Sequence, residues 1–193
     1  HLPRIFTNAF RDREGFGDDD AKKLAERMRE AVQFAHDHRA LLIDPNPMNW
    51  LVVLKKKHAL DPEPRIIDVD SWAIEQWPPC VTMPSVRDWH ATHCSALTDW
   101  FSWGVVTFEL FTGIHPYKGT LSGYKRGDFE ARMKDNASVF AQNIRLNDEV
   151  RDFTRIPARL LDWYQGEFQA GERSITPSVF TPVTTATPQI RKM

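Results

Sequence analysis

Residues Trp100 to Thr112, WFSWGVVTFELFT, are apolar around nearly the whole circumference of a helix. A helix of that composition cannot lie on a surface, because every face needs cover, so it belongs in the middle of a domain. The rest of the chain must therefore wrap it, and 193 residues suit one domain able to do so. The clearest wrapping element begins at Asp18, Asp19 and Asp20, an acidic N-terminus that suits the helix dipole. Ala21, Leu24, Ala25, Met28, Ala31, Val32 and Ala35 follow at the spacing of one buried face, which predicts an amphipathic helix over Asp18 to His38.

Other segments are read from their punctuation. His1 to Phe6 reads as a strand end leading into a loop. Leu41 to Ile43 and Trp50 to Leu54 read as short strands holding the loop Asp44-Pro-Asn-Pro-Met-Asn49, and Ile66 and Ile67 make a third such element. Lys55 to Pro64, charged and carrying Pro62 and Pro64, reads as a solvated hairpin turn. Ser71 to Leu97 shows no sustained period and reads as a long ordered loop of the kind tied to function. About Asp128 to Val139 and Pro157 to Ala170 read as more exposed helices. The segment from Ser174 onward is rich in Thr and Pro, offers little to bury, and reads as a linker.

Chemistry enters through three residues. Phosphoryl transfer needs a carboxylate to orient or accept the proton of the attacking hydroxyl, and oxygen ligands to hold magnesium on the phosphates. Asp44 stands five residues before Asn49 in a loop between short strands, and Asp68 follows another strand. Each alone is an ordinary turn former beside prolines. In that order they fit an Asp-x-x-x-x-Asn catalytic loop followed by a metal-binding aspartate.

The segment Thr98-Asp-Trp-Phe-Ser-Trp-Gly-Val-Val-Thr-Phe-Glu-Leu-Phe-Thr-Gly-Ile-His-Pro-Tyr117 resembles the protein-kinase run Asp-x-Trp-Ser-Leu-Gly-Val, Glu-Leu-x-Thr-Gly, Pro-Phe. The resemblance to the protein-kinase-like superfamily extends over about residues 1–177, leaving 178–193 as a Thr/Pro-rich tail. It implies a mainly α, α+β fold: the C-terminal lobe of that family, with short β-hairpins at the catalytic and metal loops, starting at a hinge formed by His1 to Ile5 and lacking the N-terminal lobe. It implies Asp44 as the catalytic aspartate, with Asn49 and Asp68 holding magnesium and the phosphates of ATP. Asp70, in Asp68-Val-Asp70 where Asp-Phe-Gly is familiar, adds a carboxylate that either binds a second metal or stiffens the loop. Asp99 would anchor the backbone of the catalytic loop, and Arg173, in Gly171-Glu-Arg173, would be structural. The implied activity is ATP- and magnesium-dependent transfer to serine or threonine hydroxyls of a protein substrate in a longer parent protein, whose N-lobe or fused domains would supply the nucleotide grip.

Departures from the family narrow this. Ile43 replaces the arginine through which a phosphorylated loop usually pins the catalytic loop, so loop phosphorylation is not expected to be the switch. Asn46 stands where many serine/threonine kinases carry lysine, and Asp-x-Asn-Pro-x-Asn with Asp-Val-Asp-Ser resembles a bacterial and phage branch. Thr82-Met-Pro-Ser-Val86 lacks the glutamate after Pro84 that would pair with Arg173. No glycine-rich loop and no strand lysine precede the hinge.

Rival readings are a small-molecule phosphotransferase, which shares Asp44, Asn49 and Asp68 but not the Thr98 to Tyr117 segment, and a non-catalytic pseudokinase scaffold. Cys80, His90, His93 and Cys94 are zinc-type donors, but their irregular spacing matches no compact zinc module. Trp72, Trp77 and Trp89 read as packing rather than as a base-stacking surface. With 25 basic and 26 acidic residues there is no overall field favouring nucleic acid. No apolar run reaches the roughly 20 residues of a membrane span, so no membrane partner and a cytoplasmic setting with reduced thiols are expected.

Overall fold

The computed structural model describes residues 1–56, 60–74 and 82–180. Its elements are α1 (Asn8–Glu14), α2 (Asp18–Asp37), β1 (Ala40–Leu41), β2 (Trp50–Lys56), β3 (Leu60–Ile66), β4 (Ala73–Ile74), α3 (Ala96–Thr112), α4 (Phe129–Lys134) and α5 (Ala158–Gln165), with short 3-10 turns between them. The fold is mixed α+β with two small antiparallel sheets, β1 with β4 and β2 with β3. Among the described residues no helix is long and apolar enough to cross a membrane.

The N-terminal segment corrects the expected strand end. Leu2–Phe6 is a 3-10 helix with Pro3 in its first turn, where a missing N–H costs nothing. Leu2, Ile5 and Phe6 are buried, which is a helical spacing that the strand reading overlooked. Thr7 then caps α1 by accepting from the Phe10 N–H at 3.3 Å.

Helix α2 buries Ala21, Leu24, Ala25, Met28, Val32 and Ala35 on the predicted face. The Asp20 carboxylate accepts from the Gly17 N–H at 2.9 Å, satisfying one of the N-terminal donors. Of the expected turn over Lys55 to Pro64, residues 57–59 lie outside the described residues, and those on either side belong to a ladder running from Trp50↔Ile66 to Lys56↔Leu60. Prolines are tolerated there because the ribbon has an open edge. The Pro62 carbonyl accepts from Arg27 of α2 at 2.8 Å, so the Pro62 backbone faces away from β2, and Pro64, two residues on, faces the same way.

Helix α3 occupies the centre, and Asp99 to Phe108 is buried without a break. Aromatic rings close around it edge to face: Trp103 meets Trp163 at 5.8 Å, Phe108 meets Tyr164 at 5.3 Å and Phe101 meets Phe168 at 5.8 Å between centroids. A Cβ at Gly104 would stand 2.9 Å from the Trp163 ring, so only glycine lets α5 approach this closely. Helix α4 is shorter than expected, and Asn136, with φ of 52°, marks where the chain leaves the helical path. Beyond α5, Gly166–Ala170 forms a π turn.

Residues 174–180 pack where a linker is expected. Thr176 and Val179 are buried. The buried Glu26 carboxylate of α2 accepts from the Val179 N–H at 2.6 Å and the Ser178 hydroxyl at 3.1 Å. A carboxylate withdrawn from water needs such donors, and these backbone and hydroxyl groups carry no apolar signal in the sequence.

Candidate active site

The site is built on Asp99, in the first turn of α3 and 1% exposed. Its Oδ2 accepts from the Leu42 N–H at 2.7 Å and its Oδ1 from the Ile43 N–H at 3.0 Å. His36, near the end of α2, places Nε2 2.9 Å from the same Oδ2. The clamp fixes an unusual backbone: Ile43 has φ of 65°, and a β-branched residue in the left-handed region costs about 1–2 kcal/mol. Two hydrogen bonds to a buried carboxylate outweigh that cost.

Ile43 turns the chain so that Asp44 opens the next loop, where it is half-buried. Asp44 Oδ2 accepts from Asn46 Nδ2 at 2.8 Å, and Oδ1 accepts from the Met83 N–H at 2.9 Å. Asn46 Oδ1 in turn accepts from the Met48 N–H, starting the Pro47–Asn49 turn. Asn49 donates Nδ2 to the Asp44 carbonyl at 2.9 Å. That bond fixes which way the amide faces and leaves its Oδ1 as the remaining acceptor.

The Asp68 turn is tied to the same frame. The Ile67 N–H donates to the Asn49 carbonyl at 2.9 Å, so Asp68 follows directly on a residue bonded to Asn49. Asp68 is left-handed at φ 62° and exposed, and its carbonyl accepts from the Ser71 hydroxyl at 2.8 Å. The Ser71 hydroxyl also reaches the Leu42 carbonyl at 3.4 Å. The Asn49 side chain thus joins the Asp44 backbone, and the Asn49 backbone joins that of Ile67, the residue before Asp68. Asp70 is exposed in the Val69–Ser71 turn. Among the described residues no three His, Cys, Asp or Glu side chains converge, so Asp44, Asp68 and Asp70 do not form a three-carboxylate cage.

Asn49 Oδ1 and the Asp68 carboxylate are hard oxygen donors, and magnesium in phosphate chemistry takes one or two carboxylates and keeps places for water and phosphate oxygens. These residues fit.

Arg173 lies in a separate cluster. Its Nε and Nη2 donate to Asp88 Oδ2 and Oδ1 at 2.7 and 2.8 Å, a fork-to-carboxylate pair. Burial pushes the Asp88 pKa up, but the hydrogen bonds and charge of Arg173 hold it below the ordinary aspartate range. Asp88 supplies the carboxylate missing after Pro84. The sequence offers only a lone acid between Val86 and Trp89 as a signal. Thr82 and Met83 were also overlooked: Thr82 Oγ1 donates to the Ile43 carbonyl at 3.0 Å, so this segment seats directly on the Asp44 loop.

Of the zinc-type donors, Cys80 lies outside the described residues, His90 Nε2 sits 2.9 Å from the Met133 carbonyl and His93 Nδ1 sits 3.0 Å from Thr92. Burial pushes the Cys94 thiol up, away from the thiolate that binds metal. Trp77 lies outside the described residues. Trp89 donates its indole N–H to the Pro84 carbonyl and is flanked by Arg87, 4.5 Å from Cζ to the ring centroid. In comparisons with known proteins, no family model matches the chain and no curated protein matches it.

Proposed function

We propose that this chain is the C-terminal, catalytic half of a protein-kinase-like phosphotransferase that moves the terminal phosphoryl group of magnesium-ATP to a serine or threonine hydroxyl of a protein substrate. The observation that carries the reading is the clamp of Asp99 on the Leu42 and Ile43 amides, which holds the backbone entering Asp44, together with the bonds from Asn49 to the Asp44 carbonyl and from the Ile67 N–H to the Asn49 carbonyl beside the Asp68 turn. Asp44 orients the substrate hydroxyl and accepts its proton as the new oxygen–phosphorus bond forms and the bond from the terminal phosphorus to its bridging oxygen breaks, releasing ADP; the Asn46 and Met83 donors keep its carboxylate in one orientation. Asn49 and Asp68 are the residues that would hold magnesium, which when bound neutralises charge on the phosphates. The 193 residues contain no glycine-rich phosphate loop, so in this reading the grip on the nucleotide comes from another segment of the parent protein or from a partner.

A non-catalytic scaffold is favoured by one observation: the Met83 N–H already occupies Asp44 Oδ1, where a substrate hydroxyl would compete. Two variants in the parent protein separate the readings. Asp44→Asn should lower turnover by roughly 100- to 10,000-fold with nucleotide affinity nearly intact. Asp68→Asn should slow the reaction and also raise the magnesium concentration needed for half-maximal rate, because it removes a carboxylate from a hard cation. If the parent transfers no phosphate to any protein and both variants bind its partners as the parent does, the catalytic reading fails and the scaffold stands.

A further inference from the structure

The segment between α3 and α5 holds a second concave feature, away from Asp44, Asn49 and Asp68. A cleft of about 620 Å3 opens beside the end of α3 and the start of α4. Its wall carries Lys118, Lys125, Arg126, Arg132 and Arg145, and none of the residues lining it is acidic. In a chain whose net charge is -1, this is a concentrated positive field. Among the described residues only Lys118 of these five is within ion-pair reach of a carboxylate, Glu109 at 3.9 Å, and burial pushes the Glu109 pKa up, towards its neutral form.

Arg132 makes the cleft more than a surface patch. The side chain is buried at 3% exposure, a costly position for a guanidinium. Nε donates to the Ala137 carbonyl at 2.8 Å and Nη1 to the Gly119 carbonyl at 3.0 Å, while Nη2 is buried without a hydrogen-bond partner. Tyr124 lies over the guanidinium, 5.9 Å from Cζ to the ring centroid. The fold is shaped to hold this arrangement. Gly119 sits at φ +94°, and a Cβ there would stand 2.9 Å from Leu146 Cδ2 and 3.1 Å from the Arg145 carbonyl. Only glycine therefore lets the turn pass close enough for its carbonyl to meet Arg132 while Thr120 and Arg145 exchange backbone hydrogen bonds of 2.9 Å in both directions.

We propose that this cleft binds the phosphoryl group of a phosphomonoester ligand. A carboxylate brings one negative charge and two acceptor oxygens, whereas a phosphomonoester brings about 1.5 to 2 negative charges and three strong acceptor oxygens to the guanidinium and ammonium donors. The volume exceeds what the phosphoryl group needs and takes part of the group that bears it. That bearer is either a small phosphorylated molecule or a phosphorylated serine or threonine side chain of a protein. The proposal does not rest on the phosphotransfer reading, because none of Asp44, Asn49 or Asp68 lines the cleft.

The test is a nuclear magnetic resonance titration of the 193-residue chain with inorganic phosphate, O-phosphoserine, a phosphothreonine peptide and the same peptide unphosphorylated or with glutamate in its place. The phosphoryl probes should shift the amides of residues 118–127 and 145 and the Arg132 Nε–H. The Lys125→Glu, Arg126→Glu double variant, whose changes are both exposed, should weaken that binding by about tenfold or more at an unchanged melting temperature. Tighter binding of the phosphopeptide than of phosphoserine assigns the site to a phosphorylated protein, and equal binding assigns it to a small phosphomonoester. The proposal is overturned if affinity survives the double substitution, if the shifts spread to exposed arginines outside the cleft such as Arg159, or if the unphosphorylated or glutamate peptide binds as tightly.

Discussion

Replacing Asp99 by alanine tests the keystone of the site. The carboxylate is 1% exposed and accepts from the Leu42 and Ile43 N–H groups at 2.7 and 3.0 Å, with His36 at 2.9 Å. Removing it leaves both amides without partners in the interior, at about 1–3 kcal/mol each. Part of that is recovered, because Ile43, freed from φ of 65°, can relax and return about 1–2 kcal/mol of strain. At the middle of these ranges the net loss is about 2.5 kcal/mol, a large share of the roughly 5–15 kcal/mol that holds a domain folded. Urea unfolding should show the midpoint falling with the slope unchanged. Native-state hydrogen exchange at Leu42 and Ile43 should accelerate by about 70-fold, the same energy read at the loop. Asp99→Asn, which keeps one acceptor oxygen but turns an N–H towards the other amide, should fall between. If alanine costs less than about 0.5 kcal/mol, well below the range for one orphaned donor, and leaves Leu42 and Ile43 as protected as before, the carboxylate does not hold this loop.

Two further perturbations address buried charge. Arg173→Ala abandons Asp88, 5% exposed, without its fork partner and should cost about 3–5 kcal/mol by urea unfolding, with Arg173→Lys restoring only part. Because the folded Asp88 pKa is lowered, its contribution is present above the ordinary value of about 3.9 and disappears as pH falls through the lower folded value, so the alanine variant should lose that acid limb of the stability profile. Glu167 behaves oppositely: burial pushes its pKa up to about 7, and its Oε2 has no hydrogen-bond partner. The folded state therefore holds a proton that the unfolded chain releases above about pH 4.3, and stability should fall as pH rises from there to about 7. Glu167→Gln should flatten melting temperatures over that window; an unchanged slope would assign the dependence to other groups.

How far the fold and site could be read from the sequence follows from the range of each interaction. Helices α2 and α3 are legible because burial writes a period into consecutive residues, and Ala21 to Ala35 and Trp100 to Thr112 each carry theirs locally. The nearness of the Asp44, Asn49 and Asp68 loops follows from short strands flanking them, and the structure joins these loops through the Asn49 to Asp44 and Ile67 to Asn49 bonds. What escapes the sequence is pairing at a distance. Asp88 and Arg173 are 85 residues apart, and Val179 meets Glu26 across 153. Asp88, Arg173 and Glu26 taken alone look like solvated surface, since a charge written in sequence does not say whether a partner will be brought to it. The β2–β3 ribbon was obscured for a different reason: Pro62 and Pro64 forbid a central strand but not an edge, and which edge is open depends on Arg27 of α2 reaching the Pro62 carbonyl. The cleft around Arg132 joins both difficulties, because Lys118, Arg132 and Arg145 share no local period and converge only once Gly119 lets Thr120 and Arg145 pair. Neighbouring turns in one stretch of chain are thus readable from local punctuation, whereas clusters assembled from several turns become visible only when the backbone between them has been placed.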